Sequence, residues 1–244
     1  MHRFYADPDR PLPDGAFLTR EDAHHALNVL RLRVGSPVEV IDHGMRFSAS
    51  VASADGGDVI LKKTGELPSG EMSFPVTLYQ GIPKGDKMEL IVQKATELGV
   101  SRIVPLIMSR CVVKLDEKDR ERRRERWQKI AREAGKQSGR CVIPEVLSPM
   151  LLRNVPEIRP DQEELIVPWE SAGHYGPRSY VRDHPRPHAL GIVIGPEGGI
   201  DPSEIDELTA LSARIITLGP RILRTETAGL AAVSALSALY GEME

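Results

Sequence analysis

From residue 74 onward, short apolar runs alternate with segments of helical period, and this alternation restricts the fold more than any other feature of the chain. Residues 76–82, 102–107, 165–167, 189–194 and 214–218 read as strands, and the run 189–194 carries no polar side chain, as a strand buried on both faces should. Residues 86–98 place apolar positions on one helical face and stop at Gly99, a residue that readily takes the left-handed conformation at a helix end. Residues 119–137 form a long charged helix containing Trp127, Ile130 and Ala134. Asp201 caps another helix, with Pro202 in its first position and Glu204 in its first turn, and residues 225–240 close the chain as an Ala/Leu/Ser-rich helix. Strands alternating with helices pack as a mostly parallel sheet with helices over it, so the fold class is α/β.

The first 70 residues follow a different pattern. Thr19 caps a short helix through His24, Leu27 and Leu30, residues 38–42 alternate as a strand, and residues 47–51 and 58–61 flank Asp55, Gly56 and Gly57 as a hairpin. Residues 67–71 read as a linker. The expectation is a small β-rich domain over 1–70 and a larger α/β domain over 74–244, a division that 244 residues accommodate.

Charges interrupt every apolar stretch, so none reaches the ~18 residues of a membrane span, and the first residues contain no secretory h-region. Two cysteines, Cys111 and Cys141, form no disulfide framework and fit a reducing cytosol. No Cys/His cluster has metal-ligand spacing, so no metal is expected. The net charge of −3 hides an asymmetry: residues 84–140 hold 16 basic against 9 acidic side chains, between acidic flanks. That block reads either as a solvated helix face or as a surface for an anion such as nucleic acid.

Two segments join a strand to a helix through glycine. The first is Gly195, Pro196, Glu197, Gly198 and Gly199; the second runs from Leu218 and Gly219 through Ile222, Leu223, Arg224 and Thr225 to Thr227. Ligands of open α/β sheets collect beyond the carboxyl ends of the strands, where glycine lets backbone groups come close and helix N-termini add donors. Neither segment has a P-loop or dinucleotide-binding pattern, and Glu197 disfavours a strongly anionic ligand.

Together with these loops, the runs 84–89, 93–100 and 137–140, the pair Arg126-Trp127, the opening residues 2–5 and the helix 24–31 resemble the RsmE family, the bacterial 16S rRNA (uracil-N3)-methyltransferases of the SPOUT superfamily. The resemblance spans nearly the whole chain. It implies a PUA-like RNA-binding domain followed by a SPOUT-type α/β fold with a C-terminal trefoil knot. It also implies a cytoplasmic homodimer, S-adenosylmethionine as cofactor and the small ribosomal subunit as partner. The two loops and Pro168, at the end of another strand, would then hold the cofactor. Cys111 stands where the family usually has a hydroxyl residue, and Gly135 interrupts an alanine-rich helix.

Methylating uracil N3 requires an accessible base, loss of the N3 proton with stabilisation of the resulting charge, and alignment of the methyl donor. Arg224 is the first candidate for charge stabilisation and Arg110 the second. Glu97 is a candidate proton acceptor, although pairing with Lys94 or another cation is the stronger reading of it. Candidate RNA contacts are Arg3, Arg31, Arg33, Lys84, Lys94, Arg110 and Arg140. Trp127 fits packing better than base stacking. Methylation of a tRNA ribose 2′-oxygen, or a non-catalytic RNA-binding role in ribosome assembly, stays open as an alternative.

Overall fold

The computed structural model describes residues 1–112 and 115–243. They form two compact units: Met1–Glu71 with Lys136–Val142, and Met72–Gly135 with Ile143–Glu244.

The first unit is a five-stranded sheet of β1 (His2–Tyr5), β2 (Gly15–Phe17), β3 (Pro37–Asp42), β4 (Met45–Asp55) and β5 (Asp58–Leu67), ordered β1-β3-β4-β5-β2. An antiparallel bridge between Ala6 and Leu18 links the ends of the two edge strands. The hairpin between β4 and β5 turns at Gly56 and Gly57, both at positive φ (61° and 88°), the conformation that matches the twist of the flanking strands. Thr19 Oγ1 accepts the Asp22 amide at 3.2 Å and so starts α1 (Arg20–His24), which passes into a π-helical turn over His25–Val29. Phe4, Leu18, Val38, Val40, Val51 and Leu61 fill the centre of this unit.

Lys136–Val142 returns to the first unit through a polar lock that the local pattern of the sequence does not signal. The Arg140 guanidinium, 5% exposed, donates to both Glu71 carboxylate oxygens, and Glu71 Oε1 also accepts the amides of Cys141 (2.7 Å) and Val142 (3.1 Å). Tyr5 donates its hydroxyl to the Arg140 carbonyl at 2.5 Å, and burial pushes its pKa up to about 12. Arg3 donates to Glu39 (2.8 Å) and to the Gly139 carbonyl (3.2 Å), and Gly139 sits at φ +70° directly under that guanidinium. Breaking a buried ion pair from one side leaves the other charge uncompensated. Glu71→Ala should therefore destabilise the first unit by about 3–5 kcal/mol, read as a lower urea midpoint; a loss below about 1 kcal/mol would mean that Arg140 reaches water.

The second unit is built on a parallel sheet of seven strands. Along the chain come β6 (Val76–Gly81), α2 (Lys87–Glu97), β7 (Arg102–Ile107), α3 (Glu117–Ser138), whose last turn belongs to the first unit, β8 (Glu145–Val146), β9 (Met150–Leu151), α4 (Val155–Ile158) and β10 (Glu163–Pro168). Then follow α5 (Pro177–Asp183), β11 (Ala189–Ile194), α6 (Pro202–Ala210), β12 (Arg214–Ile216) and α7 (Thr225–Leu239). The order is β12-β10-β11-β6-β7-β8, with β9 also paired to β7.

Alternate side chains of the strands face two cores. Leu78, Ile103, Ile166 and Ile192 meet Met88, Ile91 and Val92 of α2 and Ala232, Val233 and Leu236 of α7, with Trp127 in the same layer. On the opposite face Tyr79, Val104, Leu165 and Val193 meet Ile205 and Leu208 of α6 and Leu152 and Val155. Trp127 is thus a core residue. Gly191 is sterically required: a Cβ there would lie 2.5 Å from Leu165, 2.9 Å from the Tyr79 ring and 3.0 Å from Glu163 Oε2, to which the Tyr79 hydroxyl donates at 2.6 Å.

Candidate active site

The topology brings the two glycine-bearing loops together. From β6 the chain moves to β7 on one side, whereas from β11 it moves to β12 on the other, so the neighbours β6 and β11 mark a reversal of strand order. Such a switch point opens a crevice at the carboxyl ends of the strands. Because β12, β10 and β11 are consecutive in the sheet, the loops that follow them share that end.

Backbone fit and hydrogen bonds tie these loops. The Gly199 amide donates to the Pro196 carbonyl at 3.0 Å, closing a turn in which Gly199 takes φ +73°. A Cβ on Gly199 would lie 3.0 Å from Glu170 Oε1, which puts the loop after β10 against the loop after β11. The Thr225 hydroxyl donates to the Gly195 carbonyl at 2.6 Å, which joins the first turn of α7 to the end of β11. Gly81, the last residue of β6, is so close to this loop that a Cβ would lie 2.6 Å from the Pro196 nitrogen.

Charged groups brace the rim. Glu197 accepts the Lys84 amide (3.1 Å) and the Lys87 ammonium (2.9 Å), and Lys87 also lies 3.4 Å from Glu226. Burial pushes the Glu197 carboxyl up, but the bond from Lys87 and the backbone donors outweigh it, and the pKa ends below the ordinary carboxylate range. The bond to Glu197 raises the pKa of Lys87 in turn. This tie accordingly holds through neutral pH and is released only in acid, as Glu197 takes up a proton.

Asp201 caps α6 through the Ser203 amide (3.1 Å), and Glu204 completes a capping box while accepting the Ser109 amide at 2.7 Å. The Ser203 hydroxyl and amide, with Arg110 adding to them, hold the Asp201 carboxyl below its usual range.

The residues expected at the site fall into distinct settings. Arg224 is exposed at the N-cap of α7, and among the described residues its side chain forms no hydrogen bond or ion pair. Arg110 is engaged: it donates to the Gly198 carbonyl (3.0 Å) and to Asp201 (3.1 Å), and its Cβ is 2.9 Å from where a Gly198 Cβ would stand. Gly198 is therefore small because Arg110 packs on it. Glu97 ends α2 near the start of β7, a helix length of about 16 Å from the loops, and accepts Lys94 at 2.8 Å. The structure does not bring Glu97 to the crevice.

Of the expected RNA contacts, Arg31, Arg33 and Lys84 are exposed, and Arg31 is held at φ +54°. Lys94 and Arg110 are half-exposed in ion pairs, Arg3 is mostly covered, and Arg140 is buried against Glu71. Burial raises the Cys111 pKa, which suits a packed thiol rather than a nucleophile. Sequence reasoning missed Gln80 and Gly81, and it gave Lys87, in the run 84–89, no role of its own; Gln80 shows in the sequence only as a lone amide in a strand run.

A parallel sheet with glycine-bearing loops at its switch point, following a small β unit, is the architecture of a class that known proteins define. A family model described as an RNA methyltransferase domain matches residues 70–237, and one described as an RNA methyltransferase PUA domain matches residues 18–64. The chain is 37% identical over 228 residues to the ribosomal RNA small subunit methyltransferase E of Bacillus subtilis, covering 90% of this chain and 88% of that protein. It is 32% identical over 244 residues to the Mycobacterium tuberculosis protein of the same name, covering 97% and 91%.

A crystal structure of ribosomal RNA small subunit methyltransferase E from Neisseria gonorrhoeae, bound to S-adenosyl methionine, superposes with a TM-score of 0.79 at 32% identity over 98% of both chains. A putative methyltransferase from Legionella pneumophila, in complex with bound SAM, gives 0.76 at 32% identity over 97% and 96%. The chain belongs to the ribosomal RNA small subunit methyltransferase E family.

Proposed function

We propose that the chain transfers a methyl group from S-adenosylmethionine to N3 of a uridine in the 16S rRNA of the small ribosomal subunit. It would act in the cytoplasm as a homodimer with a knotted C-terminal region. The observation that carries this reading is the meeting of the loop after β11 with the loop after β10 and with the first turn of α7 at one end of the sheet. Its setting is a chain whose relatives are named for small-subunit rRNA methylation. Those names favour rRNA over a tRNA ribose as target.

The residues present fit the cofactor. Gly219 sits at φ +101° with nothing within 4 Å of a Cβ position, so free space adjoins that backbone. Ile222 is 87% exposed beside it and Leu223 half-buried, which gives an apolar wall for an adenine-sized ring. Pro168, the loop 195–199 (Gly195, Pro196, Glu197, Gly198, Gly199), Leu218, Gly219, Ile222, Leu223, Thr225 and Thr227 would hold it. When bound, S-adenosylmethionine supplies an electrophilic sulfonium methyl group.

The chain contributes charge and position. Deprotonation of uracil N3 spreads negative charge over the neighbouring carbonyl oxygens, and a cation fixed beside them stabilises that charge. Arg224 can serve, since it sits at the N-cap of α7 and, among the described residues, its guanidinium forms no hydrogen bond or ion pair. Arg110 acts as a positioning residue, since both of its recorded bonds run to the loop 195–201. Among the described residues no three His, Cys, Asp or Glu side chains are grouped to hold a metal ion, and no helix is long and apolar enough to cross a membrane.

The test is transfer of labelled methyl from S-adenosylmethionine to small subunits that lack the modification, with naked rRNA and tRNA in parallel. Label in small-subunit rRNA is expected. Label confined to tRNA would overturn the substrate while keeping the cofactor.

A further inference from the structure

All six residues of β6 are buried, and among them Gln80 has no exposed surface at all. A buried amide costs stability unless its polar atoms are paired, yet Gln80 Oε1 finds no hydrogen-bond donor. The other end of the amide is fully used: Nε2 donates to the Gly81 carbonyl at 3.0 Å and to Thr225 Oγ1 at 2.9 Å. Thr225 Oγ1 in turn donates to the Gly195 carbonyl at 2.6 Å.

The chemistry of the partners fixes the direction of this chain. The Gly195 and Gly81 carbonyls can only accept. The single Thr225 hydroxyl proton therefore goes to Gly195, the hydroxyl oxygen must accept from Gln80, and the amide nitrogen rather than the oxygen must face Thr225. Both N–H groups of the amide are then committed, and the oxygen is left over. It points toward α7, where a Cβ on Gly229 would lie 3.4 Å from it.

We infer that Gln80 is a positioning residue for methyl transfer: through Thr225 it holds the first turn of α7 and the end of β11 in the register that the cofactor requires. The inference rests on the cofactor site proposed above. Gln80 acts through the two acceptors of its amide, chiefly Thr225 Oγ1 and also the Gly81 carbonyl. Replacing it by methionine keeps its length and adds no unpaired polar atom to the core, but it withdraws the donor that orients the hydroxyl.

The test is calorimetric titration of S-adenosylmethionine into the full chain, its Gln80→Met and Thr225→Val variants and the double variant, with thermal unfolding of each. Wild type should bind. Gln80→Met should keep its Tm or raise it while its Kd rises about five- to tenfold, as expected for one lost buried hydrogen bond. Thr225→Val should lose at least as much, and the double variant should lose clearly less than the product of the two single losses, because the two residues act through one shared hydrogen bond.

Wild-type affinity in Gln80→Met or in Thr225→Val, or losses that multiply in the double variant, would overturn the inference. A lower Tm with unchanged Kd would reduce Gln80 to packing. Should Gln80→Met not fold, Gln80→Leu, which likewise withdraws the donor without adding a polar atom, takes its place in the same titration and is read by the same outcomes. Failure of wild type to bind S-adenosylmethionine would instead overturn the cofactor site itself.

Discussion

Replacing Gly81 with alanine should lower kcat/KM for S-adenosylmethionine about a hundredfold, the order of loss that ångström-scale misplacement of a site produces. The added methyl would lie 2.6 Å from the Pro196 nitrogen, 2.7 Å from its Cδ and 2.9 Å from the Gly195 carbonyl carbon. None of these is the end of a flexible side chain, so the loop 195–199 itself has to shift. The same overpacking should cost about 1–3 kcal/mol of stability. Kinetics on folded protein, confirmed by circular dichroism, separates the two effects. Near-wild-type kcat/KM in a folded Gly81→Ala variant would show that the close approach of β6 to Pro196 does not shape the site.

Arg224→Ala should lower kcat by about 100- to 1,000-fold, the range found when a single preorganised donor to a developing anion is removed. The Kd for S-adenosylmethionine should change by less than about threefold, because the backbone of this segment, rather than the guanidinium, is proposed to hold the cofactor. The exposure of Arg224 carries the prediction: its side chain stabilises nothing else among the described residues, so its removal should leave the fold unchanged. Parallel losses in kcat and in cofactor affinity would reassign Arg224 to cofactor binding.

Arg110→Ala offers the contrast. Arg110 bonds the Gly198 carbonyl and Asp201, so its loss should loosen the loop 195–199 and raise the cofactor Kd along with any fall in kcat. Two arginines that look equivalent in the sequence thus separate by what already occupies their guanidinium groups.

Much of the fold was legible because local rules and tertiary packing agree. The runs 102–107 and 189–194 coincide with β7 and β11, since an uninterrupted apolar stretch between turn residues has few other ways to be buried. The Asp201 cap with Pro202 and Glu204 marked the start of α6, and the structure adds that Glu204 closes the box. The strand expected over 214–218 stops at Ile216, because the Thr217 hydroxyl accepts the Gly219 amide at 3.1 Å and turns the chain. β1 and β2, at four and three residues, are too short to stand out, and α5 holds only two apolar side chains, Tyr180 and Val181, too few to set a helical period.

The candidate site was legible in its glycines and hidden in its charges. The loops declared themselves because glycine between a strand and a capped helix is a local signal. The fate of each arginine is set by partners far away in the chain. Arg140 reads as a surface cation until Glu71, 69 residues earlier, takes its guanidinium. Arg3 is committed in the same way to Glu39 and Gly139. Gln80 was overlooked because one amide in a strand is unremarkable until Thr225, 145 residues later, meets it. Glu97 could be read either way, and Lys94 three residues earlier claims it.

The most direct measurement is the identity of the methylated nucleoside. Small-subunit rRNA labelled by this chain would be digested to nucleosides and resolved by mass spectrometry. The account predicts 3-methyluridine as the labelled product. A 2′-O-methyl nucleoside would contradict it, because ribose methylation activates a hydroxyl group and needs no cation beside the uracil carbonyls.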